Sequence, residues 1–152
     1  MLDGWLNFHR QTLLFKCSGL TGEQLSLRAV EPSRLSLLGL VRHMAEVERT
    51  WFRSRFAGQH VGPIYSSDGN PDADFDDVDG AAAREDFVRF HEEVALARAA
   101  VRGRSLEDQF YNARGNVEMD LRWIYVHMIE EYARHNGHAD LLRERIDGTV
   151  GA

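Results

Sequence analysis

A chain of 152 residues that is 43% hydrophobic is long enough to close one domain around its own core. Its 18 Lys and Arg against 24 Asp and Glu give a net charge of −6, which argues against nucleic-acid phosphates or an anionic membrane surface as partners, since both need a basic face. No stretch approaches the ~20 apolar residues of a membrane span, and no basic flank leads an apolar run as in a signal peptide, so a soluble cytoplasmic protein is expected.

The first predicted helix runs from about Asp3 to Ser18, with Trp5, Phe8, Leu13 and Phe15 among its apolar residues. It carries the single cysteine, Cys17, in the run Leu13-Leu14-Phe15-Lys16-Cys17. A lone cysteine closes no intrachain disulfide, and its apolar neighbours favour a buried thiol over a nucleophile. Thr21 followed by Gln24 is a capping-box pattern that predicts a short helical turn over Gly22 to Leu27.

The second long helix is predicted to start after Ser36 and to end near Phe56, with Gly58 as its stop. The segment from Gln59 to Asp79 then holds Gly62, Pro63, Gly69 and Pro71 and a run of aspartates. It reads as a long solvated crossover in preference to a lid over a site. Two registers in it, from Asp72 and from Asp74, fail the calcium-loop pattern: the first puts Asp77 and Ala83 where Gly and Glu are needed, and the second puts Val78 and Asp79 at the fifth and sixth positions. The third helix is predicted from about Ala81 to Val101, stopped by Gly103, and the fourth from about Asp120 to Ile146, stopped by Gly148. No convincing strand is predicted. The expectation is therefore an all-α chain, a single antiparallel four-helix bundle over residues 1–152 with a long acidic loop between the second and third helices.

In the fourth helix, Leu121, Ile124, Met128, Tyr132, Ala139, Leu142 and Ile146 share one face at about 100° per residue. His135 falls within that apolar arc and Glu131 at its edge, four residues apart and therefore side by side. A carboxylate and an imidazole in such a place are costly without partners, and a metal ion satisfies both. The second helix offers a third ligand in His43, beside the stripe Leu37, Leu40, Met44, Val47 and Trp51. Periodicity leaves two readings open: a three-ligand metal site, or core histidines hydrogen-bonded in the ordinary way with Glu131 paired to Arg134 or Arg10. His127 and His138 flank the same face as extra ligands or supporting donors, Trp51 is placed to wall a pocket, and His9, His60 and His91 read as surface residues. Gly137 inside the helix calls for close approach of a neighbour. Phosphate-binding loops, G-x-S-x-G and Cys-x-x-Cys are absent.

The stretch Ser36-Leu37-Leu38-Gly39-Leu40-Val41-Arg42-His43-Met44-Ala45-Glu46-Val47-Glu48, the piece Pro71-Asp72-Ala73-Asp74-Phe75 and the stretch His127 to Gly148 resemble the DinB-like superfamily over nearly the whole chain. That resemblance implies an antiparallel four-helix bundle with one metal site, its ligands falling on His43, Glu131 and His135. The Glu-x3-His pair is similar to that of mycothiol-dependent maleylpyruvate isomerase, and other relatives are S-transferases that use mycothiol or bacillithiol. Many relatives follow the last ligand with Arg-Gly-Gln, where this chain has Asn136-Gly137-His138, which puts the substrate contacts and the ligand count in question at His138.

The resemblance implies a metal-dependent thiol S-transferase, in which zinc, or else nickel, iron or manganese, activates a small-molecule thiol for attack on a small electrophile near Trp51. A non-catalytic metal- or ligand-binding bundle acting as a sensor or interaction module is the alternative, and a homodimer is left open.

Overall fold

The computed structural model describes residues 1–151. The first helix, α1 (Leu2–Cys17), buries Leu6, Arg10, Leu13, Lys16 and Cys17, a spacing of three and four that marks one helical face. Of the apolar residues read on it, Leu13 is in the core, whereas Trp5, Phe8 and Phe15 are exposed. The capping box forms as expected and opens the short helix α2 (Gly22–Ser26): the Gln24 amide donates to Thr21 Oγ1 (3.2 Å), and the Thr21 amide donates to Gln24 Oε1 (3.0 Å). Gly22 lies flat against the backbone of Gly80, where a Cβ would collide with the Gly80 carbonyl, so α2 is held directly to the loop that precedes the third long helix.

Ser36 caps α3 (Leu37–Glu48), its hydroxyl accepting from the Gly39 amide at 3.1 Å. Leu37, Leu38, Leu40, Val41, Met44 and Ala45 are fully buried, so α3 is apolar around most of its circumference and forms the centre of the core. Its α geometry lasts only to Glu48. Residues Arg49–Phe56 continue as a π-helical stretch that ends with the Ala57 amide on the Phe52 carbonyl (3.1 Å), and Gly58 follows with φ +63°. The predicted boundary near Phe56 is correct, but the helix widens over its last two turns.

The acidic segment is not a plain crossover. It contains the helical turn α4 (Ala73–Asp76), followed by a 3₁₀ turn at Gly80–Ala82 that leads into α5 (Ala83–Ala100). Its main chain is gripped at two places. Glu46 accepts from the amides of Ile64, Tyr65 and Ser66. Arg42 donates to the carbonyls of Ala73 (2.8 Å) and Asp74 (3.0 Å), and Arg28 reaches those of Phe75 and Asp76.

A two-stranded hairpin corrects the purely helical expectation. Strand β1 (Gln109–Asn112) pairs antiparallel with β2 (Val117–Asp120), with Phe110 opposite Met119. Four residues per strand, with only Phe110 and Asn112 buried among the eight, are too few for alternation to stand out in the sequence. Asp120 ends β2 and caps α6 (Leu121–Asp147), accepting from the Trp123 amide at 2.8 Å, and Gly148 closes α6 at φ +80°.

Helix α1 packs along α6, while α3 meets α5, α6 and α1. The apolar face read on α6 is the one that faces inward: Leu121, Ile124, Met128, Tyr132, Ala139 and Leu142 are buried. Where α1, α3 and α6 converge, Arg10 makes a two-pronged contact with Glu48 (2.7 and 2.8 Å), and the Tyr132 hydroxyl donates to the same carboxylate (2.8 Å). Arg10 is thus taken by Glu48 and does not pair with Glu131. Gly137 faces open space, so no close neighbour explains it. No helix among the described residues is long and apolar enough to cross a membrane.

Candidate functional site

Two elements bring the predicted ligands together. Glu131 and His135 project side by side from α6, with Glu131 Oε2 3.5 Å from His135 Nε2. His43 comes from α3, its ring centroid 4.8 Å from that of His135. Each of the three offers a donor atom, and all three atoms lie within 4.8 Å of one another. The side chains are 23%, 16% and 10% exposed for His43, Glu131 and His135, so the cluster sits at the edge of the core and remains reachable from solvent.

Burial, reinforced by the neighbouring His43 and His138 rings and by Arg134, pulls the His135 pKa down to about 3. At neutral pH His135 is therefore an uncharged imidazole with a lone pair to give. His138 sits at its other nitrogen, Nδ1 to Nδ1 at 3.3 Å, while Nε2 faces Glu131. His138 thus lies beside His135 and is not part of the three-donor cluster. Asn136 turns the other way, donating to the His9 carbonyl on α1 at 3.1 Å.

The second oxygen of Glu131 faces a different histidine: Oε1 is 3.5 Å from His127 Nε2, and Glu130 approaches the other side of that ring at 3.8 Å. His127, Glu130 and Glu131 form a second group of converging donors, sharing Glu131 with the first. His127 stacks on Trp123 (centroids 4.8 Å apart, planes 18° apart) and meets Trp51 edge-on at 4.6 Å. Burial lowers its pKa, outweighing the attraction of Glu131 and Glu130. Trp51 itself lies in the π-helical stretch, with the Arg55 guanidinium 3.9 Å above its ring. The two tryptophans therefore wall the side of the cluster nearest the hairpin.

Sequence reasoning missed Asp74, Phe75 and Trp123. Asp74 was hidden in an acidic run that scans as solvated, yet it is buried, and its Oδ2 lies 2.8 Å from His43 Nδ1. Phe75 stacks on the His43 ring with centroids 4.8 Å apart. The sequence signals for this pair are the place of both residues in the Pro71–Phe75 piece that resembles the DinB-like superfamily, which gave them no role, and an aromatic and an alanine interleaved with the acids.

Cys17 contributes no nucleophile here. It is 4% exposed, and burial pushes its thiol up to about 12 against the opposing pull of Arg143. Iodoacetamide at pH 8 is expected to leave the folded protein unlabelled and to modify Cys17 rapidly in urea, as read by intact mass. Rapid labelling of the native protein would contradict this.

In comparisons with known proteins, residues 1–148 match the family model described as mycothiol-S-transferase. No curated protein and no solved structure matched the chain.

Proposed function

The chain belongs to the mycothiol-S-transferase family, within the DinB-like superfamily, and from that premise we propose that it is a metal-dependent thiol S-transferase whose ion is held by His43, Glu131 and His135. The observation that carries the reading is the convergence of these three donors, from α3 and α6, within 4.8 Å. In this reading α1, α3 with its π-helical extension, α5 and α6 are the four members of an antiparallel bundle, and the site lies between the second and fourth.

The residues suit a divalent ion. Ligation requires neutral imidazoles, and burial keeps His135 neutral far below physiological pH. Two imidazoles and one carboxylate, with positions left open, match zinc, and the same set suits iron, nickel or manganese. An ion held there would supply Lewis acidity that favours the thiolate form of a small thiol such as mycothiol. Trp51 and the partly exposed Trp123 would offer apolar surface on one side against which an electrophile could be held close to the sulfur. The sulfur would form the new S–C bond as the electrophile's carbon gives up a leaving group with its bonding pair, and the thiol proton would pass to solvent. Glu131 lies between His127 and His135, each 3.5 Å away, with Arg134 at 4.0 Å.

A sensor or interaction module would be favoured by a closed donor set. The partial exposure of His43 and Glu131 favours an open site that a co-substrate reaches. The test is thiol consumption by protein loaded in turn with Zn2+, Fe2+, Ni2+ and Mn2+. Mycothiol, bacillithiol and glutathione are each offered against a panel of electrophiles. Mycothiol should be consumed fastest with at least one ion, and absence of turnover with every combination would refute the enzyme reading.

A further inference from the structure

We propose that Asp74 is the positioning residue of the site, fixing the tautomer and orientation of His43 so that its Nε2 faces the ion; this rests on the metal reading above. An ionised carboxylate can only accept a hydrogen bond, so the 2.8 Å contact with Asp74 Oδ2 requires the proton of His43 to sit on Nδ1. The lone pair is then on Nε2, at the opposite edge of the ring. The other carboxylate oxygen, Oδ1, is occupied by the Phe75 amide at 3.0 Å, so the carboxylate cannot rotate without giving up a bond.

Asp74 is 5% exposed, and among the described residues its ion-pair contact within 4 Å is His43. Other acids of the neighbourhood have different partners: Asp76 pairs with Arg34, and Asp86 pairs with Arg42 and accepts from the Tyr65 hydroxyl. A buried carboxylate is costly unless it is paired and hydrogen-bonded, and His43 and the Phe75 amide are the two groups that offset that cost here. The backbone is built to deliver it. Arg42, one residue before His43, holds the carbonyls of Ala73 and Asp74, so the loop and the histidine are referenced to the same turn of α3. Phe75 then covers the face of the His43 ring. A Cβ at Gly39, one turn earlier, would stand 3.2 Å from the Phe75 ring, so glycine there leaves room for the stack.

A histidine held at Nδ1 by a carboxylate is a stronger and better oriented ligand at Nε2, and loss of such a partner costs about 10–100-fold in metal affinity. Zn2+ and Co2+ affinities are measured by competition with a chromophoric chelator. Asp74→Ala should bind about 10–100-fold more weakly than wild type. Asp74→Asn keeps one acceptor oxygen, which can serve Nδ1–H only by turning its NH2 toward the Phe75 amide, so it should recover at most a small part of the loss. In a His43→Ala background, adding Asp74→Ala should change nothing further, because the residue it orients is gone. The Co2+ absorption bands should also shift in Asp74→Ala, reporting altered geometry at the ion. Unchanged affinity in Asp74→Ala would overturn the proposal, and so would equal weakening in both backgrounds, which would assign Asp74 to holding the loop. If wild-type protein bound neither ion, the metal reading itself would fall and this inference with it.

Discussion

Glu48→Gln is expected to lower the folding free energy by about 3–5 kcal/mol, the cost of stranding one partner of a buried ion pair. Glu48 is fully buried and Arg10 is 2% exposed, so neither charge can turn to water when the other is removed. Burial by itself would favour a neutral Arg10, but Glu48 and Tyr132 outweigh it and raise its pKa further, so the guanidinium stays charged in the core. One of its nitrogens, Nη1, already lacks a protein partner, and the loss of Glu48 leaves the group without a counter-charge. Against a typical total stability of about 5–15 kcal/mol, that loss is large enough to shift a urea midpoint decisively. The triple variant Arg10→Met, Glu48→Leu, Tyr132→Phe removes both charges and the hydroxyl that Glu48 accepts from, and should recover most of the stability, because a buried pair gains little over apolar packing. A Glu48→Gln cost under about 1 kcal/mol would show that water or a rearranged side chain rescues Arg10.

The second large effect is expected on metal removal. An ion that binds only the folded chain, at a free concentration about 1,000 times its Kd, stabilises the fold by about 4 kcal/mol. For a chain of this length that corresponds to about 8–16 °C in melting temperature. Dialysis against a strong chelator should therefore lower the Tm of the wild type by that order, and readdition of Zn2+, Fe2+, Ni2+ or Mn2+ in turn should restore it with at least one of them. His135→Ala should hold close to zero metal by elemental analysis, and its Tm should ignore the chelator. Trp51→Ala, which touches the wall and none of the three donors, should keep both the metal and the chelator response. A wild-type Tm that is indifferent to the chelator would count against a tightly held ion.

The helices were legible because their signals are local. The Thr21–Gln24 box, the Ser36 cap and the Gly58 and Gly148 stops each act within a turn of the helix end they mark, and each is found where the sequence puts it. The placement of Glu131 and His135 side by side followed from helical periodicity, since both lie on one helix. His43 needed more, because its proximity to His135 depends on how α3 and α6 pack, which a single sequence states only through resemblance. Asp74 fell within a stretch that carries the resemblance, yet neither route gave its contact with His43. Its contact spans 31 positions and is made by a loop whose aspartates look alike in the sequence. The π-helical widening after Glu48 has no residue signature, since Arg49 to Phe56 contains neither proline nor glycine. The hairpin was lost to its brevity.

The loop between Gly58 and Gly80 is addressed through its main chain. Glu46 reads three consecutive amides, while Arg42 and Arg28 read four consecutive carbonyls, and none of these bonds depends on which side chain the loop residue carries. The grip and the vocabulary are thereby separated. Substitutions at exposed positions such as Asp68, Pro71 or Asp72 leave these main-chain anchors in place, whereas Asp74 and Phe75 meet His43 through their own side chains. In the S-transferase reading proposed above, such a scaffold would change the electrophiles it accepts by editing one loop while the donor triangle on α3 and α6 stays untouched.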